Sequence, residues 1–240
     1  MRPVILNLSK IRYRYPGGPP VLNDLDFHLH AGDRIGLVAP NGSGKTTLFH
    51  IIMGLLKPLS GSIEAFGRVR QDEKDFVSVR RRVGLLFQDA DDQLFSPTVI
   101  EDVAFGPLNL GKSRTEAVSI ALETLDFLGL KGFEDRITYK LSGGEKRLVS
   151  LATVLAMQPE VLLLDEPSTG LDAGTKETLI TILNSLDLTL VLISHEFDFL
   201  SNTAQHIYTM EDGRIRFDQE LYIHAHEHAH PMGEQPHRHE

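Results

Sequence analysis

Arg34-Ile35-Gly36-Leu37-Val38-Ala39-Pro40-Asn41-Gly42-Ser43-Gly44-Lys45-Thr46-Thr47-Leu48 is the stretch from which the rest of the chain can be read. A short apolar run ends in a glycine-bearing loop, and Lys45 and Thr46 then open a second apolar segment: strand, phosphate loop, helix. Gly42 and Gly44 let backbone N–H groups converge on phosphate oxygens, and the helix N-terminus adds the positive end of its dipole. Asn41, Ser43 and Thr47 belong to the same cradle. Lys45 is suited to the β and γ phosphates of a nucleoside triphosphate, and the Thr46 hydroxyl to Mg²⁺. The usual pattern starts with glycine six residues before the lysine, where this chain has Ala39, so a working loop with an altered entry is expected. An ordinary glycine-rich turn before a helix is the plainer alternative.

Outward from the loop, residues 4 to 15 and 25 to 29 alternate apolar and polar, separated by Pro16-Gly17-Gly18-Pro19-Pro20. This predicts an antiparallel β layer ahead of the phosphate loop. Tyr15, just before that turn, is placed either to stack on an adenine ring or to serve as a half-buried strand aromatic. After Thr46 the spacing predicts a helix through Leu48, Ile51, Ile52 and Leu55, closing near Pro58. Arg80, Arg81 and Arg82 lead into an apolar strand ending near Gln88, and read as a solvated strand or helix start rather than a phosphate patch.

Residues 88 to about 158 read as a mostly helical insert. It contains the capping box Ser113-Arg114-Thr115-Glu116 and ends in Leu141-Ser142-Gly143-Gly144-Glu145, itself followed by helical spacing at Leu148, Leu151, Ala152 and Leu155. Val161 to Leu164 is a buried-strand run ending at Asp165 and Glu166, and Leu188 to Ile193 is another, ending at Ser194 and His195. Phosphate loop, carboxylate pair and histidine each follow an apolar strand. In an open parallel sheet, ligands bind at the carboxyl ends of the strands, so one fold unites all three.

Bulk properties narrow the function. Apolar residues make up 41% of 240, enough for a substantial core, and a net charge of −9 argues against a nucleic-acid binder. There are no cysteines, no run long enough to cross a membrane and no export leader, so a soluble protein is expected, reaching any membrane through a partner. Six of the eleven histidines lie in the last stretch: His224, His226, His228, His230, His237 and His239. Alternating imidazoles suit Ni²⁺, Co²⁺ or Zn²⁺, although a merely solvated tail is the rival reading.

Taken in order, Ala39 to Thr47, Gln88, Leu141 to Glu145, Leu162 to Pro167, Gly170-Leu171-Asp172 and His195 resemble an ATP-binding-cassette (ABC) ATPase over roughly residues 4 to 218. The resemblance implies an α/β fold: a RecA-like P-loop core sheet with an antiparallel β layer and a helical insert subdomain. It implies an ATPase domain at 1–222 and a separate histidine-rich tail at 223–240. The cofactors implied are ATP and Mg²⁺. Asp165 would orient Mg²⁺, Gln88 would sense the metal and the attacking water, Glu166 would polarise that water, and His195 would contact the γ-phosphate.

Ser142, Gly143 and Gly144 would complete the nucleotide site of a second cassette in a head-to-tail homodimer or heterodimer, with Asp172 at the interface. The stretch Phe87 to Phe95, then Thr98 to Pro107, resembles the ATPases of energy-coupling-factor importers, although Ala90 stands where proline is usual. That subfamily implies integral membrane coupling and substrate-binding partners, and a peripheral position on the cytoplasmic face of the membrane. Asp89, Asp91 and Asp92 beside Leu94 and Phe95 suit a basic amphipathic helix. The function expected is ATP-driven import of Ni²⁺ or Co²⁺, with a vitamin importer of the same type or a soluble ATP-switched metal sensor as rivals.

Overall fold

The structure, a computed structural model, describes residues 2–38, 40 and 42–216. In chain order its elements are β1 (Val4–Arg14), β2 (Pro20–His30), β3 (Arg34–Val38), α1 (Lys45–Ile52), β4 (Ser60–Ala65), β5 (Arg68–Arg70), α2 (Glu73–Arg80), β6 (Val83–Leu86), α3 (Val99–Asn109), α4 (Arg114–Phe127), α5 (Gly143–Leu155), β7 (Val161–Asp165), α6 (Ala173–Ser185), β8 (Thr189–Ile193), α7 (Phe197–Thr203), β9 (His206–Glu211) and β10 (Arg214–Arg216).

Two sheets form. The first is antiparallel, in the order β2-β1-β4-β5, and the second runs β10-β9-β3-β8-β7-β6. Within the second sheet β9, β3, β8, β7 and β6 are parallel, and β10 closes the edge as a hairpin on β9. The central strands have no polar face because both sides are covered. Val161 and Leu163 of β7, with Val191 and Ile193 of β8, pack toward the antiparallel sheet and α1, whereas Leu162, Leu164, Leu190 and Leu192 pack toward α3, α4, α5 and α6. Each such burial is worth roughly 1.5–3 kcal/mol, so the ends of these strands are stiffly held.

Short polar signals set the helix starts. Capping boxes stand at Asp72 with Asp75, Thr98 with Glu101, Ser113 with Glu116, and Ser142 with Glu145. Three expectations need correction. The helix after Thr46 stops at Ile52 rather than near Pro58, because Gly54 takes φ +70° and a Cβ there would lie 2.2 Å from the Phe76 ring. Arg80 ends a helix, α2, instead of starting one: it pairs with Glu73 and donates to the Met53 carbonyl, and Arg82 pairs with Glu160. The second strand begins at Pro20, five residues ahead of the alternation that announces it.

Candidate nucleotide site

The phosphate loop leaves β3, which lies between β9 and β8 in the middle of the parallel sheet. Gly44 caps α1 at φ +99°, and a Cβ there would lie 2.8 Å from the Leu22 side chain and 3.1 Å from the Val21 carbonyl, so no other residue fits without movement. No side chain caps α1 and its first turn holds no acidic residue. The positive end of its dipole therefore meets no acidic side chain in the first turn, a setting that favours an external anion. The Ser43 hydroxyl is buried without a hydrogen-bond partner among the described residues.

Asp165 is the last residue of β7, in register with Ile193 of β8. Its Oδ2 accepts from the Thr46 hydroxyl at 2.6 Å, whereas Oδ1 is buried with no partner among the described residues. Burial, and secondarily the neighbouring Glu166 charge, push the Asp165 carboxyl up, against the hydrogen bond from Thr46 and the Lys45 and His50 charges. An orphaned carboxylate oxygen beside a hydroxyl is a hard oxygen set that fits Mg²⁺.

Glu166 then reverses the chain. Its φ is +48°, uncommon for a side-chain-bearing residue, and its N–H donates to the Ile193 carbonyl at 2.9 Å. The turn gives its carboxylate partners other than the Thr46 hydroxyl that Asp165 takes. Lys45 Nζ lies 3.3 Å from one oxygen, and the other meets His195 Nδ1 at 2.8 Å and the Thr169 hydroxyl at 3.3 Å. Lys45 and Glu166 are both nearly buried, while the His195 side chain is 58% exposed.

Two adjoining cavities, of about 350 and 890 Å³, share Thr46, Gln88 and Asp165 as walls. The smaller is closed by Tyr15, Gly42, Lys45 and Glu166; the larger extends to Gly143 and Gly170. Tyr15 is 44% exposed, and its hydroxyl lies 3.1 Å from that of Thr47 while Tyr13 packs edge-on against the ring. It stands beside the phosphate loop, in the wall of the smaller cavity. Ser142 caps α5, its hydroxyl accepting from the Glu145 N–H, so Gly143 and Gly144 head a helix as expected. Asp172 caps α6 through Thr175, and the Gly144 backbone approaches that same Thr175. Ala39, Asn41 and the four histidines His224, His226, His228 and His230 lie outside the described residues.

Two residues at the site escaped the sequence reading. Arg147, on α5, and Gln93, on the segment between β6 and α3, reach the backbone of Phe87 and Gln88. Gln93 lies within the Phe87–Phe95 stretch that carries the importer resemblance but was given no role of its own, and for Arg147 the signal was an arginine on the buried face of an amphipathic helix. The expected acidic patch is also partly neutralised within the chain: Asp89 caps the turn of Asp91, and Asp91 pairs with Lys146 at 2.5 Å.

With this geometry in place, the profile of the ABC transporter family matches residues 22–169. The chain belongs to the ABC transporter family. Among its curated relatives, the energy-coupling factor transporter ATP-binding protein EcfA of Methanothermobacter thermautotrophicus is 41% identical, over 88% of this chain and 69% of that protein. The cobalt import ATP-binding protein CbiO of Rhodobacter capsulatus is 44% identical, over 88% of this chain and 77% of its own length. A solved dimeric ATP-binding cassette in a post-hydrolysis state, bound to ADP and Pi, superposes with a TM-score of 0.81 at 26% identity, covering 91% of this chain and 99% of that one. This ABC transporter ATPase has the RecA-like P-loop fold and is an ATP hydrolase. None of its described helices is long and apolar enough to cross a membrane.

Proposed function

We propose that this ABC ATPase powers an importer of the energy-coupling-factor type whose cargo is Ni²⁺ or Co²⁺. The observation that carries the catalytic part is the meeting of Thr46, Asp165, Lys45, Glu166 and His195 at the carboxyl ends of β3, β7 and β8. Lys45 and the α1 N-terminus bind the β and γ phosphates. Thr46, Asp165 and Gln88 hold Mg²⁺, which when bound neutralises charge developing on the phosphates. Glu166 orients and polarises the attacking water, and His195 contacts the γ-phosphate; phosphoryl transfer asks for this positioning rather than for covalent help.

Tyr15 stacks on the adenine. Ser142, Gly143 and Gly144, with Asp172 nearby, complete the site of a second cassette, so the working unit is a dimer of this chain with itself or with a related one. The import reading is supported by the names of the relatives and by the surface following Gln88. There Phe95 is 67% exposed and packs edge-on against Phe105, its ring centroid 4.8 Å away, with Asp92 exposed nearby. A basic amphipathic helix of an integral membrane partner suits that surface, which places the ATPase peripherally on the membrane's cytoplasmic face. His224, His226, His228 and His230 would bind the transported metal class.

The experiment is uptake of labelled Ni²⁺ and Co²⁺ by whole cells lacking the protein, complemented with the intact chain, with Glu166→Gln, or with a chain truncated after residue 223. Restoration of one metal by the intact chain alone supports the reading, and loss on truncation assigns the tail. If neither metal responds, the cargo passes to the vitamin alternative while the ATPase stands.

A further inference from the structure

Arg147 is a fully charged side chain only 6% exposed. Burying a guanidinium is costly, and burial lowers its pKa against the favourable charges of Asp89 and Asp165. Its two terminal nitrogens go to main chain: Nη1 donates to the Phe87 carbonyl at 2.7 Å and Nη2 to the Gln88 carbonyl at 2.6 Å. Gln93 holds Phe87 as well. Its side-chain oxygen accepts from the Phe87 N–H at 3.2 Å, and its amide nitrogen donates to the Ser150 carbonyl at 2.8 Å and to the Thr153 hydroxyl at 2.7 Å, both on α5.

The peptide planes on both sides of Gln88 are thus clamped to α5, the helix that begins at Ser142. Without the clamp, the exposed Gln88 would sit on a free loop between β6 and the turn at Ala90.

We propose that Arg147 is a positioning residue for hydrolysis, fixing the carbonyls of Phe87 and Gln88 so that the Gln88 amide points into the cavity shared with Thr46 and Asp165. The inference rests on the role given to Gln88 above. Arginine suits the task because its planar fork spans two successive carbonyls with permanently charged donors, which lysine cannot do at once. Arg147 spends its terminal nitrogens on these two carbonyls and acts through the backbone of Gln88.

The test is a double-mutant cycle on the purified full-length chain, reading steady-state ATP turnover at saturating Mg²⁺ for Arg147→Met, Arg147→Lys, Gln88→Ala and the Arg147→Met/Gln88→Ala pair. Arg147→Met should lower kcat roughly tenfold with little change in KM for ATP, since a small misplacement near the reacting atoms acts on the chemical step. Arg147→Lys should recover part of the loss. In the Gln88→Ala background, Arg147→Met should add less than about a twofold loss, because non-additivity marks residues acting as one unit.

An unchanged kcat in Arg147→Met, a rise in KM in its place, or a full loss on top of Gln88→Ala overturns the proposal. Wild-type turnover in Gln88→Ala overturns the role of Gln88 and this inference with it, whereas loss there with none in Arg147→Met overturns this inference alone. Should Arg147→Met fail to fold, Gln93→Leu releases the same Phe87 backbone and replaces it in the cycle. A kcat loss absorbed by Gln88→Ala is then expected, and an additive loss refutes the clamp.

Discussion

Nδ1 of His195 lies 2.8 Å from Oε2 of Glu166, although 29 residues separate them in the chain. The parallel ladder between β7 and β8 brings their strand ends together, and the left-handed turn at Glu166 swings its carboxylate toward the histidine. Lys45 holds the other oxygen at 3.3 Å. The carboxylate is therefore oriented from both sides before any substrate arrives, a form of preorganisation that lowers the cost of aligning a water.

Glu166→Gln keeps the shape of the side chain and removes its basicity. ATP turnover should fall by about 10²–10⁴-fold, the usual contribution of a positioned base, while ATP binding is retained. Phosphate release measured beside nucleotide binding separates the two, and unaffected turnover would remove Glu166 from its role.

Asp165 has a carboxyl raised above 3.8 by burial. The folded chain then holds that proton more tightly than the unfolded one, so this group's contribution to stability is present below pH 3.8 and is lost as pH rises through the raised value. Asp165→Asn keeps an acceptor for Thr46 and removes the buried charge. Thermal unfolding of the nucleotide-free variant should shift up by about 2–4 °C near neutral pH, the effect of roughly 1 kcal/mol in a domain of this size. Its further stabilisation by ATP with Mg²⁺ should be lost, since the proposed metal ligand gives up its charge.

Tyr15 has two separable features, a half-exposed ring and a hydroxyl 3.1 Å from that of Thr47. Tyr15→Phe should leave KM for ATP within about twofold, and Tyr15→Ala should raise it roughly five- to tenfold through lost stacking. Steady-state kinetics on both variants checks this; equal effects would assign the hydroxyl rather than the ring.

Gly84 on β6 lets α5 pack against the sheet, and a Cβ there would lie 2.2 Å from Val154. Gly84→Ala should destabilise the protein by about 1–3 kcal/mol through overpacking. Urea unfolding should show a lower midpoint at an unchanged slope, the signature of altered stability rather than of a changed unfolded state.

Much of the site was legible because its chemistry depends on local patterns. Gly42, Gly44, Lys45 and Thr46 must be contiguous to wrap phosphates, and Asp165 and Glu166 end an apolar strand whose burial is plain from Val161 to Leu164. Helix α2 went unread, and α3 was covered only by the general reading of residues 88 to about 158 as helical. The first, Glu73–Arg80, is half charged and buries only Phe76 and Val79, too little for a periodic signal. The second, Val99–Asn109, carries Gly106 and Pro107, residues that argue for a helix end, and it is held by packing against α4 and α5 instead.

The sequence by itself determined the strand–loop–helix chemistry, the apolar strands and the capping boxes, since each depends on residues within a few positions of one another. Only the tertiary structure decided that Glu166 faces Lys45 and His195 while Asp165 faces Thr46, and that Arg147 reaches the carbonyls beside Gln88. Those relations join residues that lie 29 to 121 positions apart. Strand order, helix packing and one left-handed backbone turn set them, and no local pattern encodes these.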